Sequence, residues 1–191
     1  MSVVWRYLLM LLFMFPAQAA EINNAVLDAV LAGFRGIRHV EARYVERRFL
    51  AVLRAPLETR GTLRFDAPDR LEKAGDPGAD GVAERVVVAG SLLTVEHGAA
   101  PVVLDLREHP EVAALVESVR ALLAGDGAAL RRDFEIDLAG DAVRWQMVLS
   151  PRRHDLVRWL RVDGMAAAVT RIETQEADGD RSELVVGESA R

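Results

Sequence analysis

The residues that could do chemistry are few, and they are scattered through the sequence. None of the four histidines has a helical i, i+4 partner or lies in a compact cluster with carboxylates; they are His39, His97, His109 and His154. Zinc sites require such clusters, so surface and turn histidines are favoured over a metal site. Cysteine is absent, which excludes a cysteine nucleophile, thiolate ligands and disulfides. No metal or cofactor is predicted.

The known catalytic motifs are also missing. The sequence contains no G-x-S-x-G elbow, no P-loop and no G-x-G-x-x-G. Asp178 and Asp180 in "ADGD" are compatible with calcium, but the other ligands of a calcium loop are lacking, so a hairpin turn is favoured. No carboxylate pair stands out as a buried acid and base. The sequence predicts a protein that is not an enzyme. A lipid hydrolase is the least favoured alternative and would require such a pair.

Residues 1–20 have the organisation of a secretory signal peptide. Arg6 provides the positive charge, residues 7–15 form an unbroken apolar run, and Pro16 precedes the cleavage pattern "AQA". The apolar run is shorter than the roughly 20 residues that span a bilayer, so cleavage is favoured over anchoring. We expect residues 21–191 to form a single domain of about 171 residues (191 minus 20), enough to bury a core.

Composition narrows the compartment and the partners. Without a cysteine the processed N-terminus has no site for a lipid anchor, so a soluble protein is expected, located in the periplasm of a Gram-negative host. The formal net charge is −5, and Lys73 is the only lysine. No basic stripe with interleaved aromatic residues is present, which argues against a nucleic-acid partner. We expect a monomer.

Two segments have the apolar period of a helix. The first covers residues 22–36 and the second begins at Pro110 and ends at Gly125, after which Asp126 can cap a short turn. The second helix has a broad apolar stripe made of Val112, Leu115, Val116, Val119, Leu122 and Leu123.

The rest of the chain alternates with period two, as strands do. In "GTLRF" the residues Gly61, Leu63 and Phe65 fall on one side, whereas Thr62 and Arg64 fall on the other. In "VRWQMVL" one face is predicted to carry Val143, Trp145, Met147 and Leu149. We count about ten short strands without βαβ alternation, which predicts an α+β fold with a mostly antiparallel sheet. An open sheet of this size tends to curl, and a curled sheet capped by helices can enclose an apolar cavity suited to acyl chains.

The order of these elements resembles the LolA family of periplasmic outer-membrane lipoprotein carriers. The matching features are the signal peptide, the first helix, the strand "VEARYVERRFL", the unit "PLETRGTLRFDAPDRLEK" and the mid-chain helix. "LLAGDGAALRRDFEI" and "WQMVLSP" are similar to a divergent branch of the family. The resemblance implies a highly curved, open half-barrel with helices covering its concave face. It also implies a chaperone that takes acylated cargo from an inner-membrane transporter and delivers it to an outer-membrane receptor.

The resemblance also suggests which residues would contact lipid. The predicted cavity residues are Val40, Ala42, Tyr44, Leu63, Phe65, Leu71, Val86, Val88, Trp145 and Met147. The predicted lid residues are Leu115, Val119 and Leu122. Carriers of this family commonly have an arginine before the proline of the strand–turn unit, where it helps to hold the lid; here that position is Ala67, and Arg64 and Arg70 are nearby.

Two alternatives about function remain open. The cargo could be a lipoprotein or another acylated molecule such as a glycolipid. The protein could instead be a non-carrier accessory module that docks a membrane complex, with a filled core and no lipid.

Overall fold

The computed structural model describes residues 16–78, 81–98, 100–152 and 156–189. This part of the chain forms helices α1 (Pro16–Phe34), α2 (Pro110–Ala124) and α3 (Gly127–Asp133). Its strands are β1 (His39–Phe49), β2 (Leu57–Asp66), β3 (Arg70–Gly75), β4 (Arg85–Ala89), β5 (Leu92–Glu96), β6 (Val102–Asp105), β7 (Phe134–Gly140), β8 (Arg144–Pro151), β9 (Val157–Met165), β10 (Ala168–Glu176) and β11 (Arg181–Ser189). Residues 1–15 of the predicted signal peptide and His154 lie outside the described residues.

The strands form one open, curved, antiparallel sheet of eleven strands in the order β6-β5-β4-β3-β2-β1-β11-β10-β9-β8-β7. The first and last strands pair at its centre, and β6 and β7 lie at opposite edges. Because the chain must travel from one edge to the other between β6 and β7, α2 and α3 have to cross a face of the sheet. They cross the concave face, as predicted.

The predicted α+β class and antiparallel sheet are confirmed, with two differences in detail. Helix α1 begins at Pro16 rather than at Ile22, since the alanine-rich segment that follows Pro16 favours a helix. Val143 was predicted to share a strand face with Trp145, and this is wrong: β8 begins at Arg144 and Val143 is 68% exposed. Asp141 accepts hydrogen bonds from the backbone N–H groups of Val143 and Arg144, which holds Val143 in the turn.

The strand register sorts the side chains onto two faces. Val40 lies opposite Phe65, Phe65 opposite Leu71, and Leu71 opposite Val88, which makes a first apolar row. Two residues further along β1, Ala42 begins a second row that contains Leu63, Lys73 and Val86. A third row contains Tyr44, Gly61 and Gly75. These rows belong to the concave face, because alternate residues of every strand point the same way.

The convex face carries a lattice of arginine–carboxylate pairs. Glu72 accepts a hydrogen bond from Arg85 at 2.9 Å and another from Arg70 at 3.1 Å, and its side chain is largely buried beneath them. Glu173 is held in the same way by Arg161 and Arg181. These four arginines therefore already have carboxylate partners.

Two hydrophobic clusters hold the helices against the concave face. The larger one joins α1, α2 and α3 to β7–β9; its centre includes Leu31, Phe34, Leu130, Trp145 and Met147. Phe34 and Trp145 make an edge-on ring contact with centroids 6.0 Å apart. The smaller cluster consists of Val88, Leu106 and Val116, with Leu71, Leu93, Val112 and Ala113 packed against it. Helix α2 contributes to both clusters and so bridges the two halves of the sheet.

Candidate functional site

Between the two clusters lies a strip of the concave face, which we call the central strip. It consists of Val40, Ala42, Leu63, Phe65, Leu184 and Val186, on β1, β2 and β11. These residues belong to neither of the two hydrophobic clusters. The central strip is therefore an apolar part of the concave face at the middle of the sheet, between the two helix-packed clusters. Ala42 and Phe65 are buried, at 5% and 4% exposed, and the other four residues are half-buried.

All of the predicted cavity residues fall on the concave face, but they divide into three groups. Val40, Ala42, Leu63 and Phe65 are in the central strip, and Tyr44 and Val86 border it. Leu71 and Val88 pack in the smaller cluster beneath α2. Trp145 and Met147 lie in the larger cluster and are 2% and 0% exposed.

The predicted lid residues lie on α2, which begins with Pro110 in its first turn and ends at Gly125 in the left-handed conformation (φ 67°). Leu115 and Leu122 pack on the larger cluster, and Val119 is half-buried. The neighbouring stripe of α2, with Val112 and Val116, packs on the smaller cluster.

Arg120 ties α2 to the sheet. Its Nε and Nη2 donate to the Asp69 carbonyl oxygen at 2.9 and 2.6 Å, and Nη2 donates to the Gly90 carbonyl oxygen at 2.9 Å. These carbonyls belong to the β2–β3 and β4–β5 turns. The Arg120 side chain is only 11% exposed and also bonds Glu117 at 2.7 Å. Together with Leu106, Arg107 and Ala113, these groups line a surface cleft of about 370 Å³.

The sequence interpretation missed Arg120. The arginines considered beside Ala67 face the other way: Arg64 bonds Glu41 at 2.7 Å and Arg70 bonds Glu72, both on the convex face. The available signal was the position of Arg120, four residues after Val116 on a stripe that is otherwise apolar.

A compact polar group borders the central strip at the end away from the Arg120 contacts. Glu46 and Lys73 form an ion pair above Gly61, the residue between their strands. The Lys73 ammonium lies 5.3 Å from the centre of the Tyr44 ring. A Cβ on Gly61 would lie 2.8 Å from Tyr44 Cε1, so the glycine makes room for this ring.

The environment of this polar group changes the acidity of Tyr44. Burial raises the pKa of Tyr44 to about 12, the negative charge of Glu46 acts in the same direction, and a hydrogen bond with Thr59 opposes them. Thr59 also donates to Glu46 at 3.4 Å. Sequence reasoning missed this group, although Lys73 interrupts an apolar strand face and is the only lysine.

Metal chemistry finds no support in the described ranges, where no cluster of three or more histidine, aspartate or glutamate side chains could hold an ion. Within the same part of the chain, no helix has both the length and the apolar character to cross a membrane.

Solved structures with a similar chain course come from several bacteria. A LolA superfamily protein from Nitrosomonas europaea is 11% identical with a TM-score of 0.46, and the alignment covers 87% of this chain and 92% of that protein. A DUF1329 family protein from Desulfovibrio piger is 10% identical with a TM-score of 0.49, covering 87% and 92%. The lipoprotein LppX from Mycobacterium tuberculosis is 11% identical with a TM-score of 0.44, covering 87% and 96%.

The family assignment comes from the sequence. None of the curated proteins compared with the chain matches it. The family described as "Outer membrane lipoprotein carrier protein LolA-like" matches residues 19–191, which is nearly the whole chain. The protein therefore belongs to the LolA-like family of outer membrane lipoprotein carrier proteins.

Proposed function

We propose that this protein is a periplasmic carrier that binds the acyl chains of lipoproteins or other lipids and shuttles them from the inner to the outer membrane. In this proposal, residues 1–20 direct export and are removed, and the protein acts by binding rather than by catalysis. The cargo comes from an inner-membrane transporter and goes to an outer-membrane receptor.

The observation that supports the proposal is the central strip. Its side chains are apolar and belong to neither packed cluster, and four of the six are only half-buried, so an apolar partner can contact them. Each acyl methylene that moves from water onto such a surface contributes about 0.8 kcal/mol, so one or two chains give useful affinity without any specific contact. The family assignment makes an acyl chain the natural occupant.

Helix α2 is the proposed lid. It packs on both clusters and so connects the two halves of the sheet, and Arg120 fastens it to two turns. In carriers of this family, the arginine before the proline of the strand–turn unit helps to hold the lid. In this proposal Arg120, which is on α2, holds the lid instead by bonding carbonyls of the two turns. Release of cargo requires α2 to separate from one half of the sheet.

The first experiment is native mass spectrometry of the mature protein purified from periplasm, with extraction and identification of bound lipid. We expect acylated molecules to accompany the protein. An apo mass, combined with no uptake of added lipid or lipopeptide, would contradict the proposal. It would favour an accessory module with a filled core.

A pair of variants tests the surface itself. Leu63→Glu places a carboxylate in the central strip, where burying its charge opposes acyl binding. Val185→Glu is the matched control. Val185 is on β11, which pairs with β1, but its side chain is on the convex face and is already 45% exposed. We expect Leu63→Glu to lose binding of a fluorescent fatty-acyl probe and Val185→Glu to keep it. Unchanged binding by a folded Leu63→Glu protein would remove the central strip from the proposal.

A further inference from the structure

The ion pair between Glu46 and Lys73 is unusual for its position. Both residues are on the concave face, and the Glu46 and Lys73 side chains are 11% and 29% exposed. The arginine–carboxylate pairs of the sheet described above lie on the convex face. Desolvating a charged pair costs free energy that a purely apolar row would avoid. A surface that bound only hydrocarbon would not require this ion pair.

The Lys73 ammonium has hydrogen-bonding capacity to spare. It carries three N–H donors, and among the described residues Glu46 is the acceptor that it bonds. Its neighbours in the same row are Leu63 and Val86, which offer no side-chain acceptor. A ligand on the central strip can therefore supply an acceptor to the part of Lys73 that is exposed.

Charge balance selects the kind of acceptor. Glu46 already neutralises Lys73, so a carboxylate or phosphate would bring an uncompensated negative charge next to the Glu46 carboxylate. A neutral carbonyl oxygen accepts the same hydrogen bond without this cost. Acyl esters and acyl amides carry such an oxygen at the end of each hydrocarbon chain.

The position of Lys73 beside the central strip agrees with a carbonyl ligand. Leu71, two residues away on β3, packs in the cluster beneath α2. At about 3.3 Å per residue, Lys73 lies about 7 Å further from the lid. A chain that lies along the strands, with its hydrocarbon end toward α2, would thus bring its carbonyl end toward Lys73.

We infer that Lys73, held by Glu46, binds the carbonyl oxygen of an acyl ester or amide, so that the groove recognises the acyl linkage in addition to the hydrocarbon. This inference rests on the proposed function, because it presumes that the acyl chain lies on the central strip.

The test compares two lipids that differ in the carbonyl alone. Dioctanoylglycerol has two ester carbonyls, and dioctylglycerol has the same chains in ether linkage. Binding of each is measured by calorimetry to the wild-type protein, to Lys73→Arg and to the double variant Glu46→Gln/Lys73→Met. The double variant removes both charges together, so no unpaired buried charge is left to unfold the protein.

We expect the wild-type protein to bind the ester about ten-fold more tightly than the ether, the low end for a hydrogen bond from a charged donor. Lys73→Arg should keep a preference for the ester. The double variant should bind both lipids with the affinity that the wild-type protein has for the ether.

Equal binding of ester and ether by the wild-type protein would overturn the inference and leave the proposed carrier function standing. An ester preference that persists in the double variant would also overturn it. Failure of the wild-type protein to bind either lipid, or any acylated probe, would overturn the carrier function itself.

Discussion

The hydrogen bonds of Arg120 should set how readily α2 leaves the sheet. Arg120→Met removes the guanidinium but keeps a long, flexible, apolar side chain with good helix propensity, so the packing of α2 is largely preserved. The carbonyl oxygens of Asp69 and Gly90 then lose a charged donor at 2.6–2.9 Å.

The expected size of the effect follows from those two acceptors. A hydrogen bond to a charged group contributes about 1.5–3 kcal/mol. The carbonyls lie in turns that water can reach once the arginine is gone, so we expect a loss of about 2–4 kcal/mol rather than the full sum. At 1.4 kcal/mol for each factor of ten, this raises the population with α2 open roughly 30- to 700-fold.

Hydrogen exchange measured by mass spectrometry checks this value. Amide protection in residues 110–124 should fall by that factor in Arg120→Met, whereas β9 and β10 should exchange as in the wild-type protein. Arg107→Met is the control, because Arg107 lines the same cleft but bonds the nearby Asp105 instead of a turn on another strand pair.

Two results would contradict this role of Arg120. Unchanged protection of α2 in Arg120→Met would mean that the apolar contacts alone hold the helix. A loss of protection without faster uptake of a fluorescent fatty-acyl probe would mean that α2 opens but does not control access to the central strip.

Two further predictions concern acidity. The sequence has two tyrosines, Tyr7 and Tyr44, so Tyr44 is the only one in protein that lacks residues 1–20. The absorbance of its phenolate should titrate with a midpoint of about 12 in the folded state. After unfolding the midpoint should be about 10. The stability that Tyr44 contributes is complete below about pH 10 and is lost as the pH rises toward 12, and a folded-state midpoint near 10 would contradict its burial. For Glu72, hydrogen bonds from Arg85 and Arg70 lower the pKa, so Glu72→Gln should cost about 1–2 kcal/mol near pH 7 by urea denaturation. This cost should shrink below about pH 4.5 as Glu72 becomes protonated. Glu96→Gln, which removes an exposed carboxylate 3.4 Å from Arg85, should change stability by less than about 0.5 kcal/mol; equal losses in the two variants would be inconsistent with a special role for the buried carboxylate.

The strands and their faces could be predicted from the sequence because alternation is local. Gly61, Leu63 and Phe65 share a face by spacing alone, and antiparallel register carries that assignment from strand to strand. The strand order could not be read in this way. The pairing of β1 with β11 joins the first and last strands of the sheet. Local sequence patterns do not indicate which distant strand pairs with a given strand. That pairing places β6 and β7 at opposite edges and so forces the helices across the sheet.

The division of the concave face into two helix-packed clusters and the central strip was also beyond the sequence. Trp145 and Leu63 look equivalent in their alternation, yet Trp145 meets Phe34 of α1 whereas Leu63 belongs to neither cluster. Whether a concave-face residue is in a cluster depends on which strands the helices pack against. Arg120 and Lys73 were visible as interruptions of apolar stripes. Their partners could not be predicted, because the turn carbonyls that Arg120 bonds and the Glu46 carboxylate that Lys73 bonds are distant in sequence.

The unequal clusters indicate where the lid would separate. Helix α2 contributes Ala121 and Leu122 to the larger cluster, which continues into α1, α3 and three strands. Toward the other half it contributes Val116 to a cluster with only two other buried members. Since the free energy of separation grows with the apolar area exposed, α2 should stay with the larger cluster and part from β3–β5. The Arg120 bonds span this weaker boundary, where a few kcal/mol can shift the balance between closed and open. The same boundary adjoins Phe65 and Leu71, at the lid end of the strip. In the proposed binding mode, opening there would expose the hydrocarbon end of a bound lipid first, while the carbonyl end remains bonded to Lys73.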